Sequence, residues 1–186
     1  MRYTTLCYLE NPAGEYLMLH RVKKENDCNR DKWIGIGGKF LDGESPEECA
    51  LREINEETGL TVTGYRYRGI VTFVSDRWET EYMHLFTATE WTGRVREDCD
   101  EGVLEWIHKD RLAALPQWEG DRIFLELLRR EEGVVQQPVI CLTVFVLGTQ
   151  QFDCEIQQLE HFVAAFNAFG MMLDVASGQI SASQID

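Results

Sequence analysis

Apolar and polar positions near the start of the chain follow a strand pattern over Arg2–Leu9 and Glu15–His20, both rich in Tyr, Thr and Leu. Asn11-Pro12-Ala13-Gly14 between them is a strong turn signal, so a hairpin is expected to open the fold. Residues 22–32 show no apolar period and carry or border Arg21, Lys23, Lys24, Arg30 and Lys32, the make-up of an exposed basic loop. Ser45-Pro46-Glu47-Glu48 reads as a capping box with proline at the first helical position. The helix it starts should stop at Gly59, which can adopt the left-handed conformation. Residues 65–75, 81–89 and 102–107 are strand-like, and 118–130 has helical spacing through Ile123, Leu127 and Leu128. The order is mixed α+β, without the regular alternation of a doubly wound parallel sheet.

No Lys or Arg follows Arg130, which sets a soft compositional boundary there. Residues 139–147 and 152–157 predict a hairpin around Gly148-Thr149. A helix should follow, with Leu159, Phe162, Val163, Phe166 and Phe169 on one stripe. Core packing or a dimer contact explains that stripe as well as a ligand box does. From Ser177 onward the composition is that of a frayed tail. With 186 residues, 44% of them hydrophobic, one core is expected and two ordinary domains are not. We place that domain at residues 1–155, with 156–186 as a C-terminal helix and tail.

The formal charge of −14, from 32 acidic against 18 basic residues, disfavours nucleic acid polymers and anionic membranes as partners. A small phosphorylated ligand remains compatible if cations offset the repulsion locally. No apolar run approaches the length of a membrane span, and the start lacks a signal-like core. A cytoplasmic protein, monomer or homodimer, is expected. The six cysteines form no C-x-x-C pair, so they read as packing residues and not as a zinc or disulfide framework.

Within the first helix, Glu53, Glu56 and Glu57 stand at i, i+3 and i+4, on one face. Like charges this close cost a few tenths of a kcal/mol per pair unless neutralised. A solvated acidic face is one explanation. The other is a hard divalent cation: Mg²⁺ takes oxygen ligands and commonly bridges carboxylates to substrate phosphates. Arg52 adds a fixed positive group able to orient a neighbouring carboxylate. Gly35, Gly37 and Gly38 precede the helix without the G-K-[ST] of a phosphate loop, leaving either a tight bend or a close backbone approach to metal or phosphate.

The spacing Gly38-x5-Glu44-x7-Arg52-Glu53-Ile54-x-Glu56-Glu57-x-Gly59-Leu60 resembles the Nudix box at each specified position. The flanking Trp33-Ile34-Gly35-Ile36-Gly37-Gly38-Lys39, Leu17-Met18-Leu19-His20-Arg21 and Leu104-Glu105-Trp106 resemble the MutT-like oxidised-purine triphosphate diphosphatases. The resemblance covers roughly residues 2–155. It implies a Nudix-type α/β/α sandwich with a mixed sheet, and Mg²⁺, or alternatively Mn²⁺, as cofactor. Glu56 and Glu57 would then be the main metal ligands, helped by the Gly38 carbonyl. Glu53 would be a ligand or water-orienting base, and Arg52 with Glu44 would brace the site. An acid from a later loop completes many such sites, and Glu101 is the candidate, with Asp98 and Asp100 equally near in sequence.

Hydrolysis of a phosphoanhydride needs an aligned water and cations to absorb developing charge. Arg21, Lys23 and Lys39 are the candidate phosphate contacts, Lys39 reading equally as an exposed lysine without a role. Trp118-Glu119-Gly120-Asp121 is similar to a segment bordering the base in the oxidised-purine hydrolases. That resemblance makes Trp118 a wall and Asp121 an edge reader; the structural alternative is a packed Trp118 and a helix-capping Asp121. The expected activity is cleavage of a nucleoside triphosphate, such as 8-oxo-dGTP, to monophosphate and pyrophosphate. ADP-ribose, a nucleotide sugar or a dinucleoside polyphosphate is the alternative substrate. A non-catalytic Nudix-like ligand sensor is disfavoured because every box carboxylate is present.

Overall fold

The side chains of β1 (Arg2–Leu9) alternate between two buried cores, and this alternation sets the layering. Leu6 and Tyr8 join Tyr16, Met18, Leu85 and Phe124, whereas Cys7 and Leu9 join Leu17, Leu19, Ile36, Ile54 and Phe86. Helix α1 (Pro46–Thr58) gives Ala50 and Ile54 to the second core. Helix α2 (Glu119–Arg130) gives Phe124, Leu125, Leu127 and Leu128 to the first. The strands therefore lie between the helices in an α/β/α sandwich of the Nudix type, as expected. This computed structural model describes residues 1–25, 27–76 and 78–130, and beyond them the strands at 140–147, 151–155, 172–174 and 179–181.

The main sheet is mixed. β1 runs parallel to β5 (Glu81–Thr92), which is antiparallel to β4 (Thr61–Ser75). β7 (Ile140–Leu147) lies parallel to the second half of β4, from Gly69 to Ser75, and β8 (Gln151–Glu155) returns antiparallel to β7. A second sheet places β2 (Glu15–His20) between β3 (Trp33–Ile34) and β6 (Val103–His108).

The expected opening hairpin is not formed. The turn is present, with the Asn11 side chain accepting from the Ala13 and Glu15 amides, but Glu10 and Tyr16 make only an isolated bridge. β1 and β2 then diverge into different sheets. Both strands are buried on both faces, and the free edge of β1 is taken by the glycine-rich segment, with Cys7 paired to Ile36 and Thr4 to Lys39.

The hairpin β7–β8 forms as the alternation indicates, with Val146 opposite Phe152. The helix expected around Leu159 to Phe169 lies outside the described residues. The frayed tail needs correction: β10 (Gln179–Ser181) pairs antiparallel with β9 (Met172–Asp174), with Ile180 in register with Leu173.

Candidate active site

Helix α1 begins with the capping box read from the sequence: Ser45 Oγ accepts from the Glu48 amide at 3.2 Å, and Glu48 accepts from the Ser45 amide at 2.9 Å. It ends at Gly59 with φ of 75°. Ile54 is 1% exposed, and burial of such a side chain contributes about 1.5–3 kcal/mol, enough to hold an acidic helix on the sheet against the repulsion of its glutamates. Arg52 gathers two of those glutamates together with Glu44 of the preceding loop. Its Nε and Nη2 donate to the two Glu44 oxygens at 2.5 and 2.9 Å. Its Nη1 donates to Glu53 at 2.8 Å and to Glu56 at 3.1 Å, while Nη2 also reaches the Lys39 carbonyl at 3.0 Å. The forked Arg52 contact and the Leu41 amide hold the Glu44 carboxyl down at about 2.

Glu57 is different. It is buried and accepts one hydrogen bond, from the Gly37 amide at 3.2 Å. Burial first, and the neighbouring Glu53 second, push its carboxyl up to about 8, against the opposing pull of the Gly37 amide, Arg21 and Lys24. The helix thus carries a carboxylate that the protein's own cations do not neutralise. At Gly38 a Cβ would lie 2.4 Å from the Glu53 carboxylate, so a larger residue there would displace that side chain from its present place. At Gly37 and Gly35 a Cβ would meet the Thr5 and Cys7 carbonyls of β1. Close packing of the segment on β1 is therefore the reason for those two glycines, which is neither of the two sequence readings, and the close approach to the acidic site belongs to Gly38.

The basic loop is partly exposed, but its cations are engaged. Arg21 Nε donates to Asp27 at 2.7 Å, and Arg21 also pairs with Glu101, as does Lys24. Lys23 Nζ donates to the Cys99 carbonyl at 2.6 Å. Of the three acids near this loop, Asp98 and Asp100 are exposed, whereas Glu101 is partly buried against two cations that also act on Glu57. Lys39 is exposed, and its backbone, not its amine, contacts the helix through Arg52.

At the start of α2, Trp118 packs edge-on to Trp78 with ring centroids 5.9 Å apart, and Lys32 Nζ sits 4.7 Å from its ring centre. Its Nε1 donates to Asn29 Oδ1 at 2.7 Å. Asp121 is buried rather than capping from the surface; its backbone amide bonds the Trp118 carbonyl. Burial, then the charge of Glu81, push its carboxyl up to about 7, with Lys32 opposing. Gln117, also buried, finds no protein partner for either amide atom, and the Tyr8 hydroxyl makes no well-formed hydrogen bond either. Gln117 was not singled out from the sequence, where a lone glutamine carries no signal.

A model of the NUDIX domain matches residues 1–128, from β1 through nearly all of α2. The chain belongs to the Nudix family. It is 31% identical to the uncharacterized Nudix hydrolase YvcI of Bacillus subtilis, over 67% of this chain and 81% of that protein. It is 33% identical to the oxidized purine nucleoside triphosphate hydrolase of Danio rerio, over 59% of this chain and 70% of the relative. The solved MutT protein of Bacillus halodurans superposes with a TM-score of 0.65 at 27% identity, covering 83% of this chain and 94% of the other. As a Nudix hydrolase the chain is an enzyme acting on small nucleoside diphosphate derivatives, and hydrolases of the family generally need a divalent cation.

The Nudix helix suits such a cation by its chemistry. Glu53, Glu56, Glu57 and the Gly38 carbonyl are all hard oxygen donors, and Glu57 lacks a cationic partner of its own. Among the described residues no three acids, imidazoles or thiols already converge as a finished metal cluster, because Arg52 draws Glu53 and Glu56 to itself. No helix among the described residues is long and apolar enough to cross a membrane.

Proposed function

We propose that the chain hydrolyses a nucleoside triphosphate to nucleoside monophosphate and pyrophosphate, with an oxidised purine such as 8-oxo-dGTP as the preferred base and Mg²⁺ as the cation. The observation that carries this reading is the buried Asp121 beside Trp118. A carboxyl held at about 7 keeps its proton in a good fraction of molecules near neutrality, so it offers a donor and an acceptor on one group. Gln117 adds a second donor and acceptor with no protein partner. An aromatic wall with such polar groups suits a purine edge, where one misplaced hydrogen bond discriminates strongly. The oxidized purine hydrolase of Danio rerio among the relatives agrees with it.

Glu56, Glu57 and the Gly38 carbonyl would hold the cation, with Glu53 and Glu101 as further ligands. When bound, the cation would polarise the phosphoanhydride and offset the charge released on the leaving oxygen. Glu53, oriented by Arg52 at 2.8 Å, accepts the proton of the attacking water. Arg52 and Glu44 keep that carboxylate aligned. Arg21, Lys23 and Lys39 face the phosphates, Arg21 and Lys23 from positions already fixed by the loop. Water adds to one phosphorus, the bridging P–O bond breaks, and monophosphate and pyrophosphate leave.

The decisive experiment measures product release against ordinary and oxidised nucleoside triphosphates, ADP-ribose, a nucleotide sugar and dinucleoside polyphosphates. Highest kcat/KM on an oxidised purine triphosphate, with pyrophosphate as product, is expected. Preference for ADP-ribose or a dinucleoside polyphosphate would overturn the substrate assignment while leaving the hydrolase in place.

A further inference from the structure

Hydrogen bonds join the two ends of the site through the loop between β2 and β3. Trp118 Nε1 donates to Asn29 Oδ1 at 2.7 Å, and the Asn29 amide donates to Asp27 Oδ1 at 2.9 Å. The other oxygen, Asp27 Oδ2, accepts from Arg21 Nε at 2.7 Å, and Arg21 continues to Glu101. Both carboxylate oxygens of Asp27 are thus used, one toward each end. Its side chain is 7% exposed and that of Arg21 11%, so the central link is shielded from competing water. The loop is closed on itself as well, by the Arg21 amide to the Lys32 carbonyl at 3.0 Å and the Asp31 amide to the Arg21 carbonyl at 2.8 Å. The bonds to Asp27 and from Arg21 to Glu101 are charge-assisted, and together with the neutral, partly buried Trp118–Asn29 bond they form a series through which a displacement at one end is passed to the other.

We propose that Asp27 is a positioning residue: through Asn29 and Arg21 it fixes the Trp118 wall and the Glu101 carboxylate to one another, so that occupancy at one end sets the geometry of the other. This rests on the reading of Trp118 and Glu101 as the base end and the metal end of the site. The chemistry of Asp27 is specific. An amide in its place would lose one acceptor and the charge that holds Arg21, and a longer glutamate would push the Asn29 and Arg21 contacts apart. The functional consequence is that the fit of the base reaches kcat as well as KM. A displacement of the order of 1 Å at the reacting groups costs up to about 10²-fold in rate.

The test uses the indole N–H cross-peak of Trp118 in metal-free, ¹⁵N-labelled full-length protein, one of five tryptophan indoles, assigned by its loss in Trp118→Phe. Glu101→Gln should shift this peak, and Mg²⁺ added to the wild type should shift it too. In an Asp27→Asn background both responses should be lost. Asn29→Ala leaves the Asp27–Arg21 ion pair intact and keeps the question answerable if Asp27→Asn does not fold. In that background the indole peak, displaced by loss of its acceptor, should no longer respond to Glu101→Gln. In kinetics, Asn29→Ala should lower kcat about tenfold on the preferred triphosphate and leave the base preference in KM alone. An indole peak indifferent to Glu101→Gln in the wild-type background, or equally responsive without Asp27 or Asn29, overturns the proposal. The cross-peak measurement needs no substrate, so it stands apart from failure of the oxidised-purine assignment.

Discussion

The two ends of the site handle surplus negative charge in opposite ways. Around α1, Glu53 and Glu56 of the helix share Arg52 with Glu44 of the preceding loop, and Glu57 is left buried with no ion pair of its own among the described residues. At α2, a single aspartate is buried, with Glu81 raising and Lys32 opposing its affinity for a proton. The first arrangement invites a metal ion, and the second is settled by a proton. A carboxylate's position in a Nudix sequence therefore says less about its role than what surrounds it: spacing alone does not separate Glu57 from Asp121 as buried acids.

The largest expected effect lies at the metal end. Glu57→Gln is expected to lower kcat by at least about 10²-fold with little change in folding, since the amide is isosteric and a lost ligand removes charge stabilisation in the transition state. Glu56→Gln should act in the same direction, measured as steady-state turnover at saturating Mg²⁺. Near-wild-type turnover in either variant would place the cation elsewhere and erase the contrast between the two ends.

At the base end, Asp121→Asn should raise KM for 8-oxo-dGTP more than for dGTP, narrowing the preference about tenfold, the worth of one hydrogen bond to a charged or buried group. Equal changes on both substrates, with a lower Tm, would make Asp121 a packing residue.

Acid–base behaviour sharpens the comparison further. Because burial and Glu53 raise Glu57 from 4.5 to about 8, the folded chain holds that proton more tightly than the unfolded chain does. The stabilisation is complete below pH 4.5 and is lost as pH rises through 8. Asp121 works in the same sense between 3.8 and about 7. Metal-free protein should therefore lose on the order of ten degrees of Tm or more between pH 4.5 and 8. Mg²⁺ should remove the Glu57 share of that slope and leave the Asp121 share, and Glu57→Gln should do the same without metal. A slope that Mg²⁺ abolishes entirely would contradict the division between metal and proton.

The smallest effect is expected at the end of the chain. Removing residues 177–186 deletes β10, which pairs only with β9 among the described residues, and should leave kcat and KM unchanged. A loss of activity would tie this segment to the site.

Much of the metal end could be read in advance because its information is local. The capping box, Gly59 and the glutamate spacing all lie on one helix, where 3.6 residues per turn convert sequence into position. The strands 2–9 and 15–20 were legible for the same reason, but their partners were not, since pairing depends on which distant edge is free. β1 chose β5, some 80 positions along, over its neighbour across a good turn. The proposed base end draws on Tyr8, Asn29, Lys32, Trp118 and Asp121, residues with no common period. Resemblance indicated Trp118 and Asp121, while Asn29, Asp27 and Gln117 needed coordinates. The engagement of Arg21 and Lys23 within the protein was invisible for a similar reason: a basic loop looks free until the acids facing it are known.

The parallel pairing of β1 with β5 bears on synthesis of the chain. Arg2 to Leu9 leave the ribosome well before their partners, from Glu81 to Ala88, which emerge only after the whole of α1 and β4. Until then an apolar strand destined for the centre of both cores has only the short glycine-rich segment, Ile36 to Lys39, to pair with. Long-range pairing of this kind is slow and leaves sticky segments uncovered. Helix α1 is made in that interval, and its local capping lets it form early. The nascent chain therefore carries this acidic helix before the main sheet is complete. Its greatest exposure to aggregation falls in the time needed to translate β4 and β5.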